Sequence, residues 1–291
     1  MVREFAPDGF GHPIYGLTCP HIRALTVGFV KSISKDKKQF IPSRLHLGAP
    51  RMEDAFQATI ETLRLTKAQS ILSRYDPSEI STITLLRETL ALNLPVALYH
   101  AGVHSHFGDC FIGANHVKTQ GKITTAYTYE NVEGLNPNGL WVLSDSIAAG
   151  RNLIATMTSL LSKFTPSEIL MIVPIGNRWG INKLGEVLHS FGIKTTFFVW
   201  GALFGLNPEN RYDEPWGLPD CEPVDDRDQK TFISMYSKNL CVGGDFGNDF
   251  YCPPLARKLY DEQIRSLSII PKIPTVKKIL DTYRKEEILF R

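Results

Sequence analysis

The feature that most restricts the fold of this 291-residue chain is a series of four short apolar runs. They are dense in Val, Ile, Leu and Phe rather than alternating, which is typical of parallel strands buried on both faces. Helical stretches lie between the later runs, and strand–helix–strand succession with short turns predicts parallel pairing. The chain is therefore expected to be an α/β protein. The four runs are Pro95–Tyr99, Leu140–Leu143, Ile169–Val173 and Thr196–Trp200.

Helices are predicted from the spacing of apolar residues. A helix is expected over Met52–Tyr75, and Asp76 followed by Pro77 suits the start of another. The first 50 residues, dotted with Gly, Pro and aromatics, are expected to form an irregular arm. Three further elements are predicted: helices over Ala148–Phe164 and Trp179–Phe191, and a partly alternating strand over Lys122–Tyr129.

Charge and cysteine usage exclude several classes of protein. The 32 basic and 30 acidic side chains leave a net charge of +2, which gives no electrostatic case for a nucleic-acid partner. No stretch approaches the ~20 apolar residues needed to span a bilayer, and the N-terminus lacks the apolar core of a signal peptide. Five scattered cysteines without a CxxC pair favour a reducing compartment. We expect a cytoplasmic protein without a membrane partner.

Small or polar residues follow each apolar run. They are His100-Ala101-Gly102, Ser144-Asp145-Ser146, Pro174–Asn177 and Gly201. Ligands of open α/β sheets bind outside the carboxyl ends of the strands, so these loops are expected to line one crevice.

The segment Leu140–Met157 is the strongest candidate for a ligand site. A buried strand delivers Ser144, Asp145 and Ser146 to its end, and a turn of small residues then leads into a helix. Small residues allow close approach of a ligand, and the amides of a first helical turn suit a phosphate. Asp145 can accept hydrogen bonds from sugar hydroxyls. The alternative is an ordinary helix start, with Asp145 or Ser146 as the N-cap.

A family resemblance follows from this segment. Val142–Thr156, VLSDSIAAGRNLIAT, resembles the ribose-5-phosphate-binding loop of type I phosphoribosyltransferases, in particular the uracil phosphoribosyltransferase branch. Three more segments resemble that family in the same order: Val96–Gly102 its pyrophosphate loop, Ile172–Gly176 its next strand and turn, and Gly205–Asp220 the hood over the base.

The resemblance implies a type I phosphoribosyltransferase-like parallel sheet flanked by helices, with a base-binding hood and extensions at both termini. The corresponding divisions are an N-terminal arm (1–50), a phosphoribosyltransferase-like domain (51–230) and a C-terminal extension (231–291). The implied reaction transfers a 5-phosphoribosyl group from phosphoribosyl pyrophosphate to a nucleobase-like heterocycle. Mg²⁺ would be bound through the donor, and the implied partners are small-molecule substrates and a second copy in a homodimer.

Site residues are implied at the matching positions, with Asp145 and Asp220 in catalytic roles. Ribose 5-phosphate would be bound by Ser144, Asp145, Ser146, Ala148, Ala149, Gly150, Arg151 and Asn152, pyrophosphate by His100, Ala101 and Gly102, and the acceptor by Tyr212, Asp213, Glu214, Trp216, Gly217, Leu218 and Asp220.

The chain departs from the family's pattern within these loops. The arginine of the pyrophosphate loop is replaced by His100, and the first loop acid by Ser144. A basic residue of the family near the end of the alternating strand falls around Glu130. Each of the two lost arginine-type contacts is worth about 1.5–3 kcal/mol, part of which Arg151 can recover. In the hood, Asp213 and Glu214 favour an acceptor other than plain uracil, because carboxylates accept hydrogen bonds from amino or protonated ring nitrogens.

Two alternatives stay open. The first is a degenerate relative that keeps the phosphoribosyltransferase fold and binds a ligand without catalysis, since fold alone does not fix function. The second is a metal-dependent hydrolase or lyase that uses His100, His104 and His106, because imidazoles are suitable ligands for transition metals.

Overall fold

The described elements alternate between strand and helix along most of the chain. A computed structural model describes residues 1–34, 37–43, 46, 49–86, 88–104, 108–119, 122–206, 213–214 and 220–236. Its helices are α1 (Pro20–Thr26), α2 (Ala49–Leu63), α3 (Thr66–Leu72), α4 (Leu94–His100), α5 (Arg151–Leu161), α6 (Arg178–Ser190) and α7 (Asp226–Tyr236). Its strands are β1 (Val2–Phe5), β2 (Ile14–Leu17), β3 (Gly28–Ser34), β4 (Lys37–Pro42), β5 (Ile80–Leu86), β6 (Gly108–Thr119), β7 (Lys122–Asn131), β8 (Leu140–Ser144), β9 (Glu168–Val173), β10 (Lys194–Trp200), β11 (Ala202–Leu203), β12 (Gly205–Leu206), β13 (Asp213–Glu214) and β14 (Glu222–Pro223).

Eight strands form one mixed sheet in the order β1-β2-β10-β9-β8-β5-β6-β7. The six inner strands run parallel, and the edge strands β1 and β7 run antiparallel to their neighbours. Successive residues of β8 belong to different apolar clusters, Leu140 and Val142 to one and Trp141 and Leu143 to the other. The sheet is therefore covered on both faces, and the expected α/β class is confirmed.

Helices α2, α3 and α4 pack on one face of the sheet, and α5 and α6 pack on the other. The strand predictions for Leu140–Leu143, Ile169–Val173 and Thr196–Trp200 are confirmed as β8, β9 and β10. The partly alternating strand is β7, and the two later helices are α5 and α6. Within the described ranges, no helix combines the length and apolarity needed to cross a bilayer.

Two predictions assign the wrong class of element. Pro95–Tyr99 lies in the helix α4, whose buried residues Leu94, Ala97 and Leu98 follow helical spacing. The segment after Asp76 forms a 3-10 turn and then the strand β5, with sequence ISTITLL. β-Branched residues favour a strand there, and a short apolar run by itself does not distinguish the two element types.

The prediction of an irregular arm is wrong for the start of the chain. β2 pairs in parallel with β10, with Ile14 opposite Phe197, and β1 forms the sheet edge. The single helix predicted over Met52–Tyr75 is instead two helices, α2 and α3. The domain boundaries at residues 50 and 230 stay predictions.

An ion-pair cluster attaches α7 to α1. Arg23 Nε lies 2.8 Å from an Asp228 carboxylate oxygen, and Arg23 Nη2 lies 2.9 Å from Asp225 Oδ2. Arg227 also pairs with Asp225, and the Thr18 hydroxyl donates to Asp228. The first helix of the chain and residues near 230 are thereby held together.

The Asp225 carboxylate should make protein stability depend on acid pH. The Arg227 hydrogen bond outweighs the opposing effect of burial and, with the charges of Arg227 and Arg23, lowers the pKa of Asp225 from 3.8 to about 2. A lowered folded-state pKa stabilises the fold above pH 3.8, and that contribution is lost as the pH falls through 3.8 towards 2. We expect Asp225→Asn to lower the free energy of unfolding by about 1 kcal/mol at pH 7 and by progressively less below pH 4.

Urea denaturation between pH 7 and pH 2 measures this difference. Glu186→Gln is the control, because Glu186 forms an exposed pair with Lys183. A difference between wild type and Asp225→Asn that stays constant over the whole pH range would contradict the assignment.

Candidate functional site

The predicted crevice lies where the strand order of the sheet reverses. The connection that leaves β5 leads to β6, whereas the connection that leaves β8 leads to β9 on the other side. Such a switch point opens a crevice outside the carboxyl ends of the two strands, where ligands of open α/β sheets bind. Thr84 pairs with Ser144, and β5 continues to Leu86, so the two strands end within two residues of each other.

Two buried hydroxyls lie at the end of β8. The Oγ atoms of Ser144 and Ser146 are buried and lack a hydrogen-bond partner among the described residues. A buried hydroxyl without a partner costs free energy, so such groups call for a bound ligand or water. Asp145 lies between them, half-buried, and its backbone N–H donates to the Ile172 carbonyl at 3.3 Å.

The turn after these residues packs against the loop that follows β9. Ile147 N donates to Ile175 O at 2.8 Å, and Ile147 forms a bridge with Gly176. Gly150 then caps α5 with φ +69°, a backbone conformation that favours glycine. The alternative of Asp145 or Ser146 as the N-cap is therefore wrong.

The N-terminus of α5 supplies amides for an anion. Its first turn closes with a hydrogen bond from Ile154 N to Gly150 O, so the amides of residues 151–153 have no acceptor within the helix. These amides and the positive end of the helix dipole favour a negatively charged ligand. The Arg151 side chain is exposed beside them.

The predicted ribose-5-phosphate residues are contiguous around this turn, and one is also tied to β7. Ala148, Ala149 and Gly150 are half-buried. Asn152 Oδ1 accepts a hydrogen bond from Thr125 Oγ1 at 3.1 Å. The side chain of Asn152 therefore contacts the β6–β7 hairpin, which leaves its backbone amide as the group best placed for a ligand.

The predicted pyrophosphate loop follows a helix rather than a strand. His100 ends α4, and its carbonyl accepts hydrogen bonds from Arg64 at 3.2 and 2.7 Å. The Ala101 carbonyl accepts from Gln69, which attaches this segment to α3. Gly102 is exposed and has φ +105°. A pyrophosphate role for these three residues stays a prediction. It depended on a strand that ends at Tyr99, and the structure has the helix α4 there instead.

The segment next to the turn at the switch point is the one that follows β5. In sequence Arg87 and Glu88 come directly after Leu86, the last residue of that strand. Sequence reasoning missed this segment because β5 was predicted as helix. The β-branched residues of β5 are the signal that identifies it as a strand.

The acceptor-side residues lie mostly outside the described residues. Asp213 and Glu214 form β13, which pairs antiparallel with β12. Asp220 is exposed in the turn before β14. The segment starts close to the crevice, because Phe204 N donates to Gly176 O at 2.8 Å. The residues that fall outside are Tyr212, Trp216, Gly217 and Leu218.

The histidine cluster is described only in part. The His104 ring packs edge-on against Tyr99, with centroids 5.0 Å apart, and His106 lies outside the described residues. Among the residues that the structure describes, no group of three or more His, Cys, Asp or Glu side chains is arranged to hold a metal ion.

One close backbone contact shapes the turn and was not predicted. Gly180, in the first turn of α6, lies against the loop so closely that a Cβ atom would come 2.2 Å from Ala148 O. Only glycine fits at such an approach without displacing backbone. The sequence pattern GNRWG contains this glycine, but nothing local to it reveals the contact.

Comparisons with known proteins give structural neighbours only. Neither a protein-family model nor a curated protein matches this chain. A solved structure from Aquifex aeolicus is 13% identical, with 55% of this chain and 78% of that chain covered and a TM-score of 0.42. Hypoxanthine-guanine phosphoribosyltransferase from L. donovani is 15% identical, covering 60% and 94%, with a TM-score of 0.37. Adenine phosphoribosyltransferase from Thermoanaerobacter pseudethanolicus is 13% identical, covering 62% and 97%, with a TM-score of 0.32.

Phosphoribosyltransferases thus recur among the structural neighbours, at low identity and with TM-scores below 0.5. The uracil branch stays a prediction.

Proposed function

We propose that this protein is a phosphoribosyltransferase that binds phosphoribosyl pyrophosphate at the switch point and transfers its 5-phosphoribosyl group to a nucleobase-like heterocycle. The observation that carries the proposal is the pair of buried, unpartnered hydroxyls of Ser144 and Ser146. They flank a carboxylate, Asp145, and directly precede a helix N-terminus at the carboxyl end of a parallel strand. A sugar phosphate offers hydroxyls for the first group and an anion for the second.

The two parts of the site would bind different parts of the donor. The amides of residues 148–152 would hold the 5-phosphate, with the Arg151 guanidinium adding charge. Asp145 would accept hydrogen bonds from the ribose hydroxyls, because an ionised carboxylate is an acceptor only.

The oxygen atoms that this site and its substrate would offer are suitable ligands for Mg²⁺. It prefers oxygen ligands and is usually held by one or two carboxylates together with substrate phosphates. Asp145 supplies such a carboxylate at the crevice, and the donor supplies the phosphate oxygens. When bound, the ion would neutralise charge on the pyrophosphate leaving group.

The reaction breaks the bond between C1 of the ribose and the pyrophosphate oxygen and forms one from C1 to a ring nitrogen of the acceptor. The ring nitrogen supplies the electron pair of the new bond and loses its proton to solvent, and pyrophosphate leaves with the electron pair of the broken bond. The chain's own contribution is positioning and charge stabilisation. In this proposal the segment after β5 would bind the pyrophosphate leaving group. The predicted acceptor residues Asp213, Glu214, Trp216 and Asp220 would bind an acceptor with amino or protonated ring nitrogens. The homodimer and the cytoplasmic location stay predictions.

Asp145→Asn should weaken the binding of phosphoribosyl pyrophosphate with Mg²⁺ by about 10- to 100-fold, because a charged acceptor is lost from the ribose. Isothermal titration calorimetry measures the affinity, and isotope exchange with a panel of bases measures transfer. Asp109→Asn is the control, since Asp109 lies at the amino end of β6 and asparagine keeps an oxygen for the hydrogen bond that Thr82 donates.

Each outcome of this experiment has a defined meaning. Wild-type protein that fails to bind the donor would overturn the proposal. Binding without exchange for any base would favour the non-catalytic alternative. Equal affinities of wild type and Asp145→Asn would show that Asp145 does not face the ribose.

A further inference from the structure

We infer that Asn177 is a positioning residue that holds two peptide groups of the phosphate-binding turn in the orientation an anion needs. The inference rests on the function proposed above. It concerns a residue of the loop after β9, which is expected to line the crevice but to which the resemblance assigns no ligand-binding role.

Asn177 is almost completely buried and contacts both the turn and α6. Its Nδ2 donates to the carbonyls of Ile147 and Ala148, each at 3.0 Å. Its backbone N–H also donates to Ile147 O at 3.3 Å, while its Oδ1 accepts from Gly180 N at 2.8 Å. One side chain therefore joins the start of α6 to two consecutive peptide groups of the turn.

The orientation of those peptide groups follows from covalent geometry. In a trans peptide the C=O and the N–H point in opposite directions. Because the carbonyls of Ile147 and Ala148 both point towards Asn177, the N–H groups of Ala148 and Ala149 point away from it. These two amides add to those of the first turn of α5, and successive amides with a common direction form an anion-binding concavity.

This task differs from the ordinary role of Asn177 as the N-cap of α6. Capping requires only the oxygen that accepts from Gly180 N, and Asp, Ser or Thr provide such an oxygen equally well. The two hydrogen bonds to the turn use both N–H donors of Nδ2, whereas an ionised Asp offers no donor and Ser or Thr only one. Capping and positioning are therefore separable by substitution.

The experiment compares Asn177→Asp and Asn177→Ser with Asn136→Asp. Both Asn177 variants retain an oxygen for the cap, and neither can make both hydrogen bonds to the turn. Asn136 provides a matched control at the amino end of the sheet, where its Nδ2 donates to Ser78 O at 3.2 Å and its Oδ1 accepts from Asn138 N at 3.1 Å. The serine variant adds no charge, which keeps the test valid if the aspartate variant does not fold.

The probes are ribose 5-phosphate and Mg²⁺-pyrophosphate, each titrated separately. We expect affinity for ribose 5-phosphate to fall by about 10-fold or more in both Asn177 variants, as hydrogen bonds that orient the amides are lost. Affinity for Mg²⁺-pyrophosphate should change less than 2-fold, as should both affinities of Asn136→Asp. Hydrogen exchange in Asn177→Ser should rise in residues 147–150 and stay unchanged in the later turns of α6.

Three results would be decisive. A wild-type protein that binds neither probe would remove the proposed function itself. A wild type that binds both, with Asn177→Ser that binds ribose 5-phosphate equally well, would overturn only the role of Asn177. An equal loss for both probes would mean that Asn177 acts through general stability, and would also overturn the inference.

Discussion

Gly180→Ala is expected to weaken ribose 5-phosphate binding by 10-fold or more and to lower the free energy of unfolding by about 1–3 kcal/mol. The added Cβ would come 2.2 Å from the Ala148 carbonyl oxygen and 2.8 Å from an Ile147 methyl group, so either α6 or the turn must move. The turn carries the amides of the phosphate site, which is why binding and stability should change together. Urea denaturation and calorimetric titration of the same variant measure both effects.

The sign of the stability change distinguishes the contact from ordinary helix propensity. Exchanging glycine for alanine within a helix normally stabilises it by about 0.5–1 kcal/mol. Gly9→Ala serves as the control, because a Cβ there has no neighbour within 4 Å. A Gly180→Ala variant as stable as wild type, with unchanged affinity, would show that the turn and α6 do not meet as described.

Trp200→Ala is expected to lower the free energy of unfolding by about 3–5 kcal/mol. The Trp200 side chain is fully buried between the sheet and α2, where its indole N–H donates to Thr62 Oγ1 at 2.9 Å. The substitution leaves a large cavity and removes a buried hydrogen bond. The urea midpoint, measured at constant m-value, gives the change.

Trp179→Ala provides the matched control for this experiment. Its side chain is 43% exposed in the first turn of α6, so removing it leaves no buried cavity of similar size. We expect its cost to stay near 1 kcal/mol or below, as for surface substitutions. Similar costs for the two variants would contradict the assignment of Trp200 to the core.

The sequence predicts the second half of the sheet better than the first. β8, β9 and β10 are short apolar runs with helices between them, so the sequence alone indicates strands that are buried on both faces. β5 is different, because Ser81 and Thr82 are polar yet fully buried. Their partners are Asn136 N and the Asp109 carboxylate, both distant in sequence, and no local pattern reveals such pairs.

The candidate site shows the same limit. The turn around Gly150 was found because its residues are consecutive, and the loop resembles a known one. Asn177 and Gly180 shape that turn from the next strand–helix connection, and β5 is the neighbour of β8 only through the strand order of the sheet. Which loops contact one another depends on which strands are neighbours in the sheet. Because β5 was predicted as a helix, the neighbour of β8 could not be identified from the sequence.

The parallel pairing of β2 with β10 has a consequence for how the chain is made. Ile14 pairs with Phe197, so 183 residues (197 minus 14) separate the two partners. At about 5–20 residues per second, synthesis leaves the N-terminal strand without its place in the sheet for roughly 10–40 s. During that time Ile14 and its neighbours can pair with β1, but the edge of β2 that will face β10 stays unpaired. The place of β2 inside the sheet is therefore completed only when β10, made long after it, is available as its parallel neighbour.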